Sequence, residues 1–417
     1  MKKTSNLNGQ ALFFLVLLIP IFGSIALGLI LCGAIILSFY LILQRSQGNE
    51  LKPFKKVGVI FILYFVYYSL NGAFFSSSVS QHIHDIGKIF PILVIGILAF
   101  VIKENTINIT YKAISYVAVL SIYLTTILAL IFRFYPPDIM ILGETFSQKT
   151  GVMSRLEMGT GNALPFGTIF ITFAFLTCLD IKNKTLFKKI ISFSALILAI
   201  LMVAFWNNSR GPLLVVAPLT ILMFWYLFKE SKCTKNWTHL ASGFIAITLT
   251  VCLFASLQSF GYDMSSNMVN GLKEIAVSGS HDASVNIRLT LYQAGIKAFI
   301  TQPFFGFGIG NLFEAIIEFL PKTAKLQYSH VHNMYLNHAI AGGCVGLIFL
   351  LLIICSPIVN LWYKKKNISI EAIYLSLLLV IAISGSGMSN VLFFHDLLAG
   401  FFCVLILLSS IAAHNKI

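Results

Sequence analysis

The chain has 417 residues, of which 58% are hydrophobic and 11% are charged. Soluble globular proteins are about 45–50% apolar and about 25% charged, so this composition excludes an ordinary soluble domain, a disordered chain and a disulfide scaffold. Long apolar stretches recur along the sequence. They predict an all-α fold, a polytopic helical bundle in a membrane, because such stretches recur along the whole chain and several are just long enough for a spanning helix of about 20 residues.

Twelve apolar stretches are candidates to cross the membrane. They lie at 9–22, 24–43, 57–76, 86–102, 111–132, 161–180, 189–206, 211–228, 239–257, 335–361, 370–386 and 391–413. The first two form one apolar run interrupted by Pro20 and Gly23, which fits either a helical hairpin or one bent helix. Lys2 and Lys3 precede this run as in a signal peptide, but no convincing small-residue cleavage site follows, so we expect an uncleaved first helix.

The basic residues orient the predicted spans. The net charge is +14, from 29 Lys and Arg against 15 Asp and Glu. Such an excess often indicates nucleic-acid binding, but in a membrane protein basic connections face the cytoplasm. With the N-terminus inside, every short cytoplasmic connection is basic, as in the run with Lys182, Lys184, Lys188 and Lys189. We therefore expect no nucleic-acid partner.

This topology divides the chain into three predicted parts. An N-terminal membrane bundle of about nine spans covers 1–257, one large periplasmic loop covers 258–334, and three C-terminal spans cover 335–417. Within the loop, 284–300 and 311–320 are predicted helices. The second has an apolar pattern that suits a helix lying on the membrane surface or capping the bundle.

The five arginines divide differently from the lysines. Only Arg45 is predicted to be cytoplasmic, whereas Arg133, Arg155, Arg210 and Arg288 all fall on the outer side. Arginine is the residue best suited to bidentate phosphate recognition, so this division predicts an outer phosphate site. Chance and ordinary anchoring at the membrane interface remain the alternatives for Arg133 and Arg155.

Arg210 and Arg288 are the stronger candidates. Arg210 lies in a very short turn between two apolar spans, where an unpaired Arg costs about 2.5–3.5 kcal/mol and should face a polar cavity or a partner. Pro212 begins the next helix, whose free amide groups favour an anion. On a helix, Tyr292 shares a face with Arg288. The alternatives are snorkelling for Arg210 and a solvated loop position for Arg288.

Three histidines cluster where the outer loop re-enters the membrane: His330, His332 and His338. His332 is predicted at the outer mouth of a helix, where a neutral imidazole can take a proton from a hydroxyl near neutral pH. A histidine satisfied by hydrogen bonds at the interface is the alternative. We expect His338, further along the helix, to face a neighbouring helix.

Two other site types fit the sequence less well. His330 and His332, together with His82, His84 and Asp85, could suggest zinc, but neither a Cys set nor a His-Glu-x-x-His helix is present. We therefore predict no metal site. The glycines of 306–310 lack the Lys and Ser/Thr of a P-loop, so this stretch is predicted to be a backbone turn between the two outer helices.

The order of these motifs resembles a known family. Ser-Arg-Gly at 209–211 is followed by Ile-Arg-Leu-x-x-Tyr-x-x-Gly at 287–295 and Pro-x-x-Gly-x-Gly-x-Gly-Asn at 303–311. His-Asn-x-Tyr-Leu at 332–336 and Ala-Gly-Gly-x-x-Gly-Leu at 341–347 complete the set. The set resembles the O-antigen ligase and polymerase superfamily of bacterial inner membranes, and the topology looks most like the lipid A-core:O-antigen ligase.

The resemblance implies an activity and a place for it. It implies a metal-independent, inverting glycosyltransferase without a cofactor, which moves O-antigen polysaccharide from undecaprenyl pyrophosphate to a lipid A-core sugar in lipopolysaccharide biosynthesis. The enzyme would be a multi-pass protein of the bacterial inner (cytoplasmic) membrane, with its active site facing the periplasm. The partners would be the lipid-linked donor, the lipid A-core acceptor and the phospholipid membrane.

The resemblance also assigns residues. The family's essential histidine falls on His332, and its two essential arginines fall on Arg210 and Arg288. We expect both arginines to converge on one diphosphate. The remaining predicted binding residues are Arg155, Tyr292, His330 and Asn333.

Three other functions remain as alternatives. An O-antigen polymerase shares much of this layout, although an Arg-x10-Gly motif associated with some polymerases is absent at Arg155, Arg210 and Arg288. A transporter of lipid-linked sugars would show charged residues near mid-span and inverted repeats, and neither is clear. A metal-binding membrane protein is the third alternative.

Overall fold

In a computed structural model of the chain, the fold is a bundle of α-helices. The structure describes residues 15–43, 54–75, 78–102, 109–135, 140–141, 144–145, 155–207, 209–229, 243, 245, 248, 283–321, 330–363 and 368–414. Apart from a two-residue antiparallel strand pair, Met140–Ile141 with Glu144–Thr145, the regular structure in these ranges is helical. The predicted all-α membrane fold is confirmed.

The helices are labelled in chain order. They are α1 (Ile19–Phe22), α2 (Ser24–Leu43), α3 (Phe54–Phe75), α4 (Val79–Val101), α5 (Tyr111–Phe134), α6 (Ala163–Leu176), α7 (Leu186–Leu201), α8 (Arg210–Leu213), α9 (Val216–Phe228), α10 (Ala283–Thr301), α11 (Leu312–Ile317), α12 (Met334–Tyr363), α13 (Ile370–Gly387) and α14 (Asp396–His414). A π-helix, Met202–Asn207, extends α7. Four short 3-10 helices are Met158–Thr160, Ile181–Asn183, Ile309–Asn311 and Leu392–Phe394.

Nine helices in the described ranges are long and apolar enough to cross a membrane. They match nine of the twelve predicted stretches. The predicted span at 239–257 lies almost wholly outside the described residues, as does much of 9–22, and the predicted division at 257 and 258 stays a prediction. Between α1 and α2 the chain turns at Gly23, which has a φ of 49°.

The stretch at 161–180 differs from the prediction. It contains α6, which has 14 residues and rises only about 21 Å. That length is less than the roughly 30 Å of a bilayer core. The helix ends at Leu176; the next residue, Thr177, donates its hydroxyl to the Ala174 carbonyl, and Asp180 then adopts a left-handed φ of 56°. Nearly all of α6 is buried inside the bundle.

Helix α4 begins seven residues earlier than the predicted span at 86–102. The Ser78 side chain caps it by accepting from the Gln81 amide, so the first two turns are helical although they are polar. Asp85 in these turns and Lys88 in the next turn line a cavity that also reaches His330. The last predicted span, 391–413, instead begins as a 3-10 turn and becomes α14 only at Asp396.

The centre of the bundle is α14. Every side chain from Leu397 to Ala413 is buried, as expected for a helix that is apolar on all sides. Phe401 makes an edge-on contact with Phe173 of α6, with ring centroids 5.6 Å apart. Such aromatic pairs contribute about 0.5–1.5 kcal/mol beyond area burial. The short α6 is thereby held against the central helix.

The predicted outer helices are present with different lengths. Residues 284–300 form α10, which is one residue longer at each end. Residues 311–320 form the shorter α11, which continues into irregular turns. Between α10 and α11, Gly306 and Gly308 both have positive φ, so the predicted glycine turn is confirmed.

This turn pairs with a break in α12. The predicted span 335–361 was continuous, but Gly343 interrupts the helix with a φ of 61° and a ψ of −157°. Four backbone hydrogen bonds join the two segments: Phe307 N to Ile340 O (2.9 Å), Gly308 N to Ala341 O (2.9 Å), Cys344 N to Pro303 O (2.7 Å) and Val345 N to Phe304 O (3.3 Å). We call this arrangement the glycine junction (residues 303–308 with 340–345). It satisfies backbone groups that a break would otherwise leave unpaired in the membrane.

Only glycine suits two positions of the junction. A Cβ at Gly343 would overlap the carbonyl of Phe304, and one at Gly306 would overlap the carbonyl of Ile340. Both residues also have positive φ, which costs other residues roughly 1–2 kcal/mol. The junction thus ties the segment carrying α10 to the helix that follows the histidines.

We predict that Gly343→Ala destabilises the protein by about 2 kcal/mol or more, through backbone strain and steric overlap. The thermal-unfolding midpoint of the purified protein in detergent would measure the change. Gly28→Ala is the matched control, because nothing lies within 4 Å of a Cβ built there and alanine favours a helix. Equal midpoints for the two variants would contradict the proposed importance of the junction.

Candidate functional site

The histidine loop (residues 330–333) leads into α12. Its fold is fixed by two amide side chains: Asn333 caps α12 by accepting from the Leu336 amide at 3.0 Å, and Asn337 accepts from the Val331 amide at 3.1 Å. Within this loop His332 has a φ of 52°. A left-handed residue other than glycine costs of order 1–3 kcal/mol, and such residues concentrate at functional sites.

The two outer histidines are held in the neutral form. Their rings lie 4.3 Å apart in an edge-on arrangement. Burial lowers the pKa of His332 from its usual value, and the positive charge of Arg288 lowers it further. Burial also lowers the pKa of His330 to about 4, with smaller contributions from His332, Lys88 and His395. At neutral pH both imidazoles are therefore mostly unprotonated.

Helix α10 brings Arg288 and Tyr292 to the histidine loop. The two residues are one helical turn apart, so they share a face. The Tyr292 hydroxyl lies 3.2 Å from the Met388 carbonyl oxygen and 3.5 Å from that of His332. Asn333 reaches the same Met388 oxygen at 3.5 Å. Five predicted residues thus lie together beside the end of α13. We call the group of Arg288, Tyr292, His330, His332 and Asn333 the outer site.

Gly295 allows α10 to pack closely on α12. A Cβ at this position would lie 2.9 Å from a methyl group of Leu336 and 3.0 Å from one of Ile340. Leu291 and Ala294 are buried in the same interface, on the side of α10 that faces the bundle. The Ile-Arg-Leu-x-x-Tyr-x-x-Gly sequence therefore combines functional candidates with the residues that position them.

Arg155 supports the turn before Arg210. Its Nε donates to the Asn207 carbonyl at 2.7 Å, and its second terminal nitrogen donates to Ser209 Oγ at 3.1 Å. Asn207 is fully buried and donates to the carbonyls of Leu156 and Ala163. Burial lowers the pKa of Arg155, and the nearby Glu157 opposes that shift. This geometry gives Arg155 a positioning role beside the predicted binding role.

Arg210 begins α8, with Ser209 at its N-cap, three residues after Asn207 ends the π-helix. Its side chain lies outside the part of the chain that the structure describes. The adjacent Gly211 approaches α13 so closely that a Cβ there would overlap Ser389. Since Met388 contacts Tyr292 and Asn333, the Arg210 turn and the outer site meet at the same end of α13. The convergence of Arg210 and Arg288 on one diphosphate remains a prediction.

A cavity of about 660 Å³ opens beside His330. Asp85 is buried in its wall, 2.5 Å from the Lys88 ammonium and 2.8 Å from the Gln81 amide nitrogen. Glu314 of α11 also lines this space. Polar groups and apolar side chains thus line a space within the roughly 300–1,000 Å³ typical of ligand pockets.

His338 has a different environment from the outer histidines. It is fully buried, 2.8 Å from the Tyr64 hydroxyl of α3 and 2.7 Å from the Met334 carbonyl. Its ring stacks on Phe394 with centroids 4.2 Å apart. His338 therefore faces neighbouring helices, as expected, and is satisfied within the core.

The histidines that suggested zinc contact different parts of the structure. His82 packs against Gly72 of α3, while His330 and His332 contact each other. Within the described part of the chain, no group of three His, Cys, Asp or Glu side chains is arranged to hold a metal ion.

Sequence analysis missed several contributors to the site. Asn207 supports the Arg210 turn, and its place two residues before Ser209 in that polar turn was the available signal. Asp85 was considered only as a possible zinc ligand, and Lys88 is a charged residue near the start of the apolar stretch 86–102, where charge is unusual. Nothing in the sequence indicates the contacts of Met388 and Ser389, because they depend on where α13 ends in the folded protein.

Two comparisons with known proteins show what the chain is similar to. Residues 195–351 match the family model described as O-antigen ligase, and this range contains Arg210 and the whole outer site but not Arg155. The match confirms the resemblance to an O-antigen ligase-like family. An uncharacterized protein of Haemophilus influenzae is 28% identical over 210 residues, which cover 48% of this chain and 49% of that protein. The chain thus matches about half the length of this relative.

We predict that the pKa of His332 lies below the ordinary histidine value and that the positive charge of Arg288 contributes to this lowering. The rate at which diethyl pyrocarbonate modifies His332, followed by mass spectrometry across pH, reports the neutral fraction. The midpoint should lie below 6.5, the usual histidine value, and Arg288→Gln should move it upward by removing a positive charge. Arg288→Lys, which keeps the charge, is the control. An unchanged midpoint in Arg288→Gln would exclude this coupling.

Proposed function

We propose that the protein is a glycosyltransferase that moves O-antigen polysaccharide from undecaprenyl pyrophosphate to a lipid A-core sugar. The observation that carries the proposal is the outer site, where His332 has strained backbone geometry and lies close enough to Arg288 for its charge to act. The family match over 195–351 supports the same activity. The reaction needs a base for the acceptor hydroxyl and positive charge for the departing diphosphate.

The proposed base is His332. As the acceptor oxygen forms its bond to the anomeric carbon of the donor, the hydroxyl proton passes to the neutral imidazole. The bond from the anomeric carbon to the diphosphate oxygen breaks, and its electron pair leaves with the diphosphate. One direct displacement of this kind inverts the configuration at the anomeric carbon. The scheme needs no metal-bound water, because the acceptor hydroxyl is itself the nucleophile.

The proposed charge stabilisers are Arg288 and Arg210. Fixed guanidinium groups favour the charge that builds on the leaving diphosphate more than they favour the ground state. Arg155 orders the turn that precedes Arg210 through its bonds to Asn207 and Ser209. Tyr292 and Asn333 keep α10 and the histidine loop against the end of α13. Their proposed contribution is alignment of charge and base.

We assign the acceptor sugar to the cavity beside His330. Its carboxylates and amide, from Asp85, Glu314 and Gln81, can bond sugar hydroxyls. Phe313 and Phe394 add apolar surface for a sugar ring. The cavity borders His330, whose ring contacts His332, so an acceptor hydroxyl there can approach the proposed base.

The proposed location is the bacterial inner membrane, with the outer site facing the periplasm. The outer site and Lys184 are near opposite ends of the bundle, because Met388 ends α13 whereas Glu371, beside the Lys184 pocket, begins it. Basic connections favour the cytoplasm, which supports our proposal that the lysine end faces inside. The lipid-linked donor and the lipid A-core acceptor are both membrane-bound, so they can reach a site at the membrane boundary.

Deletion of the gene tests the proposed function directly. We expect a lipopolysaccharide gel to lose every polymer-capped band while undecaprenyl-linked polymer accumulates. A complementing wild-type copy should restore the bands, and His332→Ala, expressed at the same level, should not. A remaining cap of a single repeat unit would indicate a polymerase and contradict the ligase assignment. Accumulation of donor on the cytoplasmic side would indicate a transporter.

A further inference from the structure

A second cavity, of about 450 Å³, lies at the other end of the bundle. Three lysines line it: Lys112 at the start of α5, and Lys184 and Lys188 around the start of α7. Their ammonium nitrogens surround the ring of Tyr116, at 5.9, 5.8 and 6.0 Å from its centroid. We call this cavity the lysine pocket. Three like charges in one pocket repel each other, and a bound anion would offset this repulsion.

The protein supplies little compensation for these charges. Asp180 and Glu371 also line the lysine pocket, so the lysines exceed the carboxylates by one. Asp180 accepts from the Asn183 side-chain amide at 2.6 Å. Among the residues that the structure describes, no carboxylate oxygen lies within 4 Å of the three ammonium groups. The pocket therefore keeps a net positive charge.

Lys184 is the innermost of the three cations. Its side chain is buried, and its ammonium donates to Ser115 Oγ (2.7 Å), Ser192 Oγ (2.7 Å) and the Thr177 carbonyl (3.0 Å). All three acceptors are uncharged. Burial lowers the pKa of Lys184 to about 8; Cys178 and Asp180 oppose this shift only in part, and the positive charge of Lys188 adds to it. An anion in the pocket would offset the cost of this buried charge.

The surroundings of the pocket fit a lipid. Helix α7 begins beside it with Leu186 and Phe187, which are 50% and 70% exposed. Tyr116, between the lysines, is 38% exposed. Apolar side chains that remain exposed at the end of a membrane-spanning helix face hydrocarbon chains, while lysines at the same level reach the headgroup region. A ligand with both a phosphate and acyl chains matches these two surfaces.

We propose that the lysine pocket binds the phosphate of an anionic phospholipid headgroup, with the acyl chains lying along the start of α7. Basic pockets between spanning helices on the cytoplasmic side are suited to such headgroups. Lys112 and Lys188 are exposed and provide mobile point charges for the phosphate. Lys184 contributes its charge from the pocket floor, since its donors are used within the protein. The site is independent of the outer site and its proposed chemistry.

Native mass spectrometry of the delipidated full-length protein in detergent tests this proposal. Phosphatidylglycerol is the probe, phosphatidylethanolamine the zwitterionic comparison and inorganic phosphate the free-anion comparison. The test variant is Lys112→Gln with Lys188→Gln. The matched control is Lys55→Gln with Lys229→Gln, because these lysines lie near the same end of the bundle and also contact aromatic rings, at 5.5 and 4.7 Å. Thermal unfolding checks that all variants fold.

We expect wild type and the control to retain one phosphatidylglycerol in preference to phosphatidylethanolamine. A lysine near an anionic headgroup contributes roughly fivefold, so the test variant should lose about 25-fold in affinity. An equal loss in the control would indicate general surface attraction and overturn the proposal. Equal binding of phosphatidylethanolamine would overturn it as well. Occupation by inorganic phosphate with no preference for phosphatidylglycerol would overturn the lipid assignment.

Discussion

The glycine junction determines where the functional candidates lie. Its backbone hydrogen bonds join residues 303–308 to the break in α12 at Gly343, so the segment that carries α10 is fixed to the helix that follows the histidine loop. Without this pairing, the broken helix would leave polar backbone groups in an apolar environment, and each would cost several kcal/mol. The same hydrogen bonds connect the segment that follows α10 to the helix that follows the histidine loop, and these two elements carry Arg288 and His332 on either side of the junction.

Both ends of the molecule have charged groups in partly buried surroundings. At the outer end, burial and the charge of Arg288 keep His332 neutral, so a base and a guanidinium can work side by side. At the other end, burial brings the pKa of Lys184 to about 8 and leaves a cavity with excess positive charge. Both arrangements place cations where an apolar surrounding makes them costly. We propose a phosphate-bearing lipid as the partner of each arrangement.

Much of the fold could be predicted, because the length of an apolar stretch is a local property. The limits of α5 and α13 follow from it within two residues. The length of α6 and the break at Gly343 could not be predicted in this way. Helix α6 ends at Leu176 inside the predicted apolar stretch 161–180, and hydrogen bonds to a distant turn stabilise the break. A hydropathy profile shows neither feature.

The candidate site was predictable to a similar extent. The order and spacing of unusual polar residues identified the motifs at 287–295 and 332–336. The structure brings these two motifs together, with Tyr292 next to His332. The contributions of Asn207 and Met388 depend on tertiary contacts between segments far apart in sequence. An asparagine amide and a methionine backbone carbonyl cannot be recognised as site groups from the sequence. The chemical roles of Arg210 and Arg288 remain predictions of the proposed mechanism.

The most direct test of the account is the transfer rate in proteoliposomes that contain the purified protein, a lipid-linked donor and a core-oligosaccharide acceptor. A general base contributes roughly 10²–10⁴-fold to a rate, so His332→Ala should slow transfer by that order while donor binding is unchanged. His330→Ala, which alters the neighbouring ring, should slow transfer much less. Transfer by His332→Ala at a rate close to wild type, or loss of wild-type transfer in the presence of a chelator, would contradict the account.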